Sequence, residues 1–446
     1  MKLIASVFFI VFFISCNTSN TIHQPMNSST FKMPSWAKSA NIYEVNLRQY
    51  TSAGTFNAFA KELPRLKEMG IEILWFMPIT PISIEKRKGS LGSYYACSDY
   101  VSTNPEYGNI NDFKSLVKNA HELGMKVIID WVANHTGADH TWTKVNPNFY
   151  KKDSTGKFYD VNGWDDVIDL DYNSTEMKTE MIKAMHFWVD NTNIDGFRCD
   201  MAHLVPIEFW KEARSSFNNN DLFWLAETEN PLYHQAFDVT YTWEWMHVTK
   251  DFCEGKKTMS DLKNVLVKYD TAYADNAVRL FFTSNHDENS WNGTEYEKYG
   301  HAVKALSVFS MLYKGIPMVY SGQEMPNKKR LKFFDKDAIE WNGKYELHDF
   351  YKTIFKLRKS NTALQTDAAI VLINTGVDNV LAFKRVSGKN EVLVLLNLSS
   401  TNQLRFSIPA SKVSGIFYNA FSNVENKFEQ DSRFEMQAWE YLVYYK

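Results

Sequence analysis

Four short stretches of the chain gather side chains that can move protons and hold charge. They are Asp130-Trp131-Val132-Ala133-Asn134-His135, Arg198-Cys199-Asp200, Glu227, and Asn285-His286-Asp287-Glu288. Each follows an apolar run of β type, and a single acid in such a place is commonly a cap for the next helix. Four such endings together, bringing carboxylates, two histidines and an arginine to one face, have the makings of a catalytic site. Several carboxylates and a cation, with no cofactor motif, suit the cleavage of a glycosidic bond. Its oxocarbenium-like transition state needs one carboxylate to bond the anomeric carbon and a second carboxylic acid to protonate the leaving oxygen. Asp200 and Glu227 suit those two parts. Arg198 lies two residues before Asp200, on the same strand face, and is expected to keep it ionised and oriented. Glu227 needs a raised pKa, which the aromatic and acidic walls of a substrate-filled cleft favour.

These residues need elements that bring their strand ends together. From Asn41 onward short β-type runs alternate with longer amphipathic stretches, the pattern of strand–helix units on a parallel sheet. Strands are predicted at 42–46, 71–77, 126–131, 196–200, 223–226, 236–240, 278–283 and 316–320. Eight of them predict an α/β fold with a closed (β/α)₈ TIM barrel over residues 36–361, with its chemistry at the C-terminal strand ends. Helical faces show in the spacing of Phe56, Phe59, Leu63, Leu66 and Met69, and of Phe113, Leu116, Val117, Ala120 and Leu123. Gly70 and Gly124 are placed to close those helices. Residues 138–171 break the rhythm and predict a short inserted domain after the third strand, on the active face. Residues 362–446 alternate in strand fashion, with a turn at Ser387-Gly388-Lys389-Asn390, and predict a C-terminal antiparallel β-sandwich.

The whole chain excludes some functions and locates others. Its 49 basic and 52 acidic residues offer no concentrated basic face for nucleic acid. Met1 and Lys2 precede an apolar run from Leu3 to Ile14, too short for a membrane span and right for a signal-peptide core. The ending Phe13-Ile14-Ser15-Cys16 resembles a lipobox. Residues 1–16 are thus expected to be a lipoprotein signal, with Cys16 carrying the lipid, and 17–35 a polar tether. Cys97, Cys199 and Cys253 form no metal-ligand or disulfide framework, and Cys199 is expected to be a buried small hydrophobe.

In these residues the sequence resembles the α-amylase superfamily, glycoside hydrolase family 13. The four polar stretches resemble the family's four signatures. Ser93-Tyr94-Tyr95-Ala96-Cys97-Ser98-Asp99-Tyr100 with Asn104-Pro105-Glu106-Tyr107-Gly108, and Asp169-Leu170-Asp171-Tyr172-Asn173, resemble two further ones. The resemblance implies Asp200 as nucleophile, Glu227 as acid/base and Asp287 as a third carboxylate gripping sugar hydroxyls. It implies Tyr95 stacking under the sugar, His135 and His286 as donors to its hydroxyls, and Arg198 holding the nucleophile. His203, where the family often has Lys-His nearby, and Trp291 are expected to line substrate subsites. No organic cofactor is implied. The family's usual structural calcium would use Asn134 with insertion acids, here Asp165 or Asp166 and Asp169. The implied activity is retaining hydrolysis of α-1,4-glucans or maltooligosaccharides. The same machinery also suits an α-1,6-glucosidase, a sucrose-directed enzyme or a glucanotransferase, and a non-catalytic glucan-binding lipoprotein is the reading from outside catalysis. The lipid anchor implies the outer membrane of a Gram-negative cell. The acid-free Asn17-Thr18-Ser19-Asn20 favours its periplasmic face, beside components of a glucan-uptake system.

Overall fold

A computed structural model describes residues 31–218 and 221–446. Eight short strands, buried along their length, are too apolar for an open edge and close on one another. They are Ile42–Val45, Ile73–Phe76, Lys126–Trp131, Gly196–Cys199, Phe223–Ala226, Val239–Thr240, Val278–Phe281 and Ile316–Tyr320. All pair in parallel in sequence order, and the first pairs with the last, which makes the predicted barrel. The pairing is close enough at Gly196 that a Cβ there would lie 2.0 Å from the Phe223 carbonyl oxygen.

Most predicted strands lose only their outermost residues. The sixth shrinks from 236–240 to Val239–Thr240 for a specific reason. Pro231–Gln235 is a 3₁₀ turn, and Asp238 is spent on Arg214 (2.6 Å) and the Trp224 amide (2.9 Å). The amphipathic stretch after the first strand runs as Phe56–Phe59, Ala60–Glu62 and Leu63–Met69 rather than one helix, yet buries the predicted face. Gly70 closes it at φ 97°, its N–H reaching the Leu66 and Lys67 carbonyls. The helix Ile110–Glu122 opens on a capping box of Asn109 and Asp112 and buries Phe113, Leu116, Val117 and Ala120.

The insertion is pinned at its root by strand His135–Gly137 against Val167–Asp169. Beyond the barrel, a six-stranded antiparallel sheet runs in the order Ala369–Ile373, Val380–Ser387, Asn390–Asn397, Tyr441–Tyr445, Gly415–Asn419, Glu425–Phe428. A two-stranded ribbon, Leu404–Ile408 with Ser432–Met436, covers one face of it. The other face carries Leu381, Phe383, Val394 and Val443 into the same apolar core as the barrel helix Val303–Leu312. The predicted sandwich is therefore unequal, one layer being only a ribbon.

The expected tether needs correction at its end. Phe31 lies under the Arg214 guanidinium at 4.8 Å, and Met33 packs against the barrel's inner core, so 31–35 belong to the fold. Residues 1–30, with Cys16, lie outside the described residues. Cys199 is fully buried as expected, and Cys97, Cys199 and Cys253 are free thiols.

Candidate active site

The third, fourth and fifth barrel strands end side by side and deliver Asp130, Arg198 with Asp200, and Glu227 to one point. The Arg198 guanidinium is fully buried and holds all three acids. Its Nη1 donates to Asp130 (2.9 Å) and Asp200 (2.9 Å), and its Nη2 lies 2.7 Å from Glu227 Oε2. The contact to Glu227 is a charge pair and not an aligned hydrogen bond, since Nη2 finds no acceptor along its N–H directions. Nε donates to the Tyr241 hydroxyl (3.2 Å). Glu227 also accepts the Met201 amide at 3.0 Å. Met201 adopts φ 39°, a left-handed conformation uncommon outside glycine, and this turn after the strand aims its N–H at Glu227.

One guanidinium cannot neutralise three buried acids. Burial pushes Asp200 up to about 6 against the pull of Arg198, with Asp130 adding to the rise. Asp130, buried against the same cation, is also pushed up to about 6. Arg198 orients Asp200 and favours its ionised form, but the ion pair offsets only part of the desolvation. Burial raises Glu227 further, to about 7, helped by Asp200 and Asp287 and opposed by Arg198. The two acids are ordered as a nucleophile and a proton donor require.

Asp287 comes from the end of the seventh strand, before the π-type turn Glu288–Asn292. Its carboxylate is 38% exposed to the cleft and lies 3.2 Å from His286 Nε2. His286 is fixed from behind by Glu44 of the first strand, which meets Nδ1, and from the side by the Tyr95 hydroxyl, 2.7 Å from Nε2. Burial would lower the imidazole's pKa, but Asp287 and Glu44 carry it well above the ordinary value. With both ring nitrogens protonated, Nε2–H donates toward Tyr95 and Tyr95 donates on to Asp130 (3.2 Å). Asp287 in turn is held below the usual carboxylate range, His286 outweighing its burial. The Tyr95 ring is stacked with His286 (5.4 Å, 24°) and Phe333 (6.3 Å, 14°).

Tyr95, His135, Asp200, Glu227, Asp287 and Phe333 line one cavity of about 240 Å³. On the insertion side, burial keeps His135 below its ordinary pKa, and Trp164 meets its ring edge at 5.6 Å. Lys88 also lines the cavity and binds Asp165 (2.6 Å) and Asp166 (2.9 Å), closing the insertion over it. Trp291 stands at the rim, 52% exposed, against Phe333 at 5.3 Å. His203 is exposed and lies with Met201, Glu227 and Trp243 around an adjoining cavity of about 290 Å³. Sequence reading assigned no role to Glu44, Asp130, Met201, Lys88 or Phe333. Asp130 stood in the first polar stretch, but the others carry no motif and show their part only through contacts.

The expected calcium ligands do not come together. Asp165 is 83% exposed and taken by Lys88. Asn134 turns its amide to Asp169 Oδ1 (3.3 Å) and His135 Nδ1 (3.2 Å), and the Lys151 ammonium sits 2.9 Å from Asp169 Oδ2. Burial and the neighbouring Asp160 carboxylate both raise the Asp169 pKa. Among the described residues no group of three or more His, Cys, Asp or Glu side chains is arranged to hold a metal ion. A lysine cation occupies the place beside Asp169, so this ligand set does not fit calcium.

Comparison with known proteins bears on the whole arrangement. A family model described as "Alpha amylase, catalytic domain" matches residues 19–155 and 146–355. "Alpha-amylase MalA" of Haloarcula japonica is 24% identical over 392 residues, spanning 83% of this chain and 57% of the relative's length. An "Alpha-1,4-glucan:maltose-1-phosphate maltosyltransferase" of Salinibacter ruber is 24% identical over 420 residues, 84% of this chain and 62% of the relative. The crystal structure of a "noncanonic maltogenic alpha-amylase AmyB from Thermotoga neapolitana" superposes with a TM-score of 0.85 at 30% identity. It covers 92% of this chain and 99% of that one.

Proposed function

This chain belongs to the α-amylase catalytic-domain family, and from that premise we propose that it is a retaining hydrolase of α-1,4-glucosidic bonds in starch-like glucans or maltooligosaccharides. The observation that carries the reading is the single Arg198 guanidinium gripping both Asp200 and Glu227 at the foot of an open cleft. Two acids that share one cation are held near each other, which agrees with the short carboxylate separation of a retaining mechanism. In the proposed reaction a glucosyl unit lies against Tyr95, whose ring packs on His286 and Phe333. Asp200 attacks the anomeric carbon while Glu227 gives its proton to the departing oxygen. The glucosyl–Asp200 ester forms and the leaving chain departs toward His203. Water then takes its place, Glu227 removes a proton from it, and the ester carbon is displaced from Asp200. Arg198 keeps its charge throughout. It steadies Asp200 as the ester breaks, and the pull it exerts on Glu227 is what burial must overcome for that acid to hold a proton. Ionised Asp287 beside cationic His286 binds hydroxyls of the same sugar, and neutral His135 binds them from the insertion side.

The α-1,4 preference is the finer part of the proposal. Products from amylose, pullulan and isomaltose test it: linear maltooligosaccharides released from amylose, with isomaltose untouched, is the expected outcome. Cleavage of isomaltose in preference to amylose, or disproportionation with little hydrolysis, would sink it. We further propose that the enzyme works lipid-anchored through Cys16 at the periplasmic face of an outer membrane. There its products would feed a glucan-uptake system. The apolar run 3–14 and the Phe13-Ile14-Ser15-Cys16 ending support the anchor.

A further inference from the structure

Glu227 borders two spaces: the catalytic cavity, and the adjoining one of about 290 Å³ that His203 and Trp243 line. The second continues. Glu229 and Trp243 also line a groove of about 600 Å³ between the helices Trp243–Cys253 and Met259–Ala272. The three spaces therefore share walls in sequence, from Asp200 through Glu227 and Trp243 to His247.

Two features make the groove more than a surface hollow. Glu229, two residues beyond the catalytic acid, accepts the Glu244 amide with both oxygens (3.0 Å each) and the Tyr269 hydroxyl (2.7 Å). That contact fastens the first turn of the Trp243 helix to the strand end carrying Glu227 and uses up Glu229 as a ligand. The walls, moreover, have sugar-binding chemistry. Trp243 and His247 stand one helical turn apart with rings at 16° and centroids 6.2 Å apart. Trp243 is braced from behind by Tyr241 (5.3 Å) and Phe282 (5.3 Å). Asn264 faces the groove from the second helix, and among the described residues the side chains of Trp243, His247 and Asn264 have no hydrogen-bond partner. A rigid aromatic platform with free polar groups beside it suits the apolar face and hydroxyl rim of a glucosyl ring.

We propose that this groove is a further binding site for the glucan chain, holding units of the leaving-group side that lie beyond the subsites next to Glu227. The proposal rests on the hydrolytic reading above. Its consequence is a preference for long chains that the catalytic cleft does not itself impose.

The full chain carrying His247→Ala and Asn264→Ala tests it, since both residues lie away from the reacting atoms. On amylose kcat/KM should fall about tenfold, as expected for one lost ring contact and one lost hydrogen bond, while maltotriose, held around Glu227, stays within about twofold of the parent. An unchanged rate on amylose, or an equal fall on both substrates, overturns the proposal. Maltoheptaose titrated into the Asp200→Asn protein, with and without the two groove changes, measures the site without turnover. Binding about tenfold weaker with the groove changes supports the site, and equal binding overturns it. A parent that hydrolyses neither glucan yet binds maltoheptaose in a groove-dependent way would sink the hydrolytic reading and leave the groove standing.

Discussion

Arg198 sets the chemistry of the site by being outnumbered. Three acids converge on it, so none is fully neutralised, and burial decides how far each pKa rises. The pH dependence follows with its sign. As pH rises through about 6 the Asp130–Arg198–Asp200 cluster loses its proton and the nucleophile becomes available. As pH rises through about 7 Glu227 loses the proton it must donate. A plot of kcat/KM against pH should therefore be a narrow bell with limbs near those values, and Glu227→Gln should abolish the alkaline limb along with most of the rate. A flat profile from pH 5 to 9 (roughly the span over which such acids titrate) would contradict the assignment. The acids themselves were legible in the sequence because each closes an apolar strand. Their balance was not, because Asp130's claim on Arg198 and the Met201 amide on Glu227 are tertiary contacts with no local signal.

At the scale of elements, strands and helices were readable where the apolar period was strong, and less so where a polar side chain took a backbone's place. Asp238 shortened the sixth strand in this way, and Pro64 stood in a helix that broke into three pieces. The insertion is where the family resemblance misled. It implied calcium ligands there, but in the folded chain the acids are met by lysines, Lys151 at Asp169 and Lys88 at Asp165 and Asp166. Lys151→Met should leave the buried Asp160–Asp169 pair without its cation and cost about 2–3 kcal/mol, seen as a melting temperature lower by several degrees. The parent should melt at the same temperature with EDTA or with added calcium. A parent that loses several degrees on chelation would show that a metal, and not Lys151, holds the insertion.

The molecule as a whole joins barrel and C-terminal sheet through one core. Arg385 on the sheet is fully buried and donates to the Leu312 (3.2 Å) and Tyr313 (2.8 Å) carbonyls at the end of a barrel helix, a link that strand patterning could not reveal. Where this unit works in the cell is a separate prediction at the same scale. Radiolabelled palmitate should enter the full-length chain and be lost in Cys16→Ala, which should be found soluble. Equal labelling of both would remove the anchor from the account. The central claim is that turnover passes through a covalent bond to Asp200, and mass spectrometry tests it most directly. After brief reaction with a 5-fluoro-α-glucosyl fluoride and digestion, one glucosyl adduct on the peptide containing Asp200 is predicted, absent from Asp200→Asn. An enzyme that turns the reagent over without any adduct, or an adduct on another carboxylate, would contradict it.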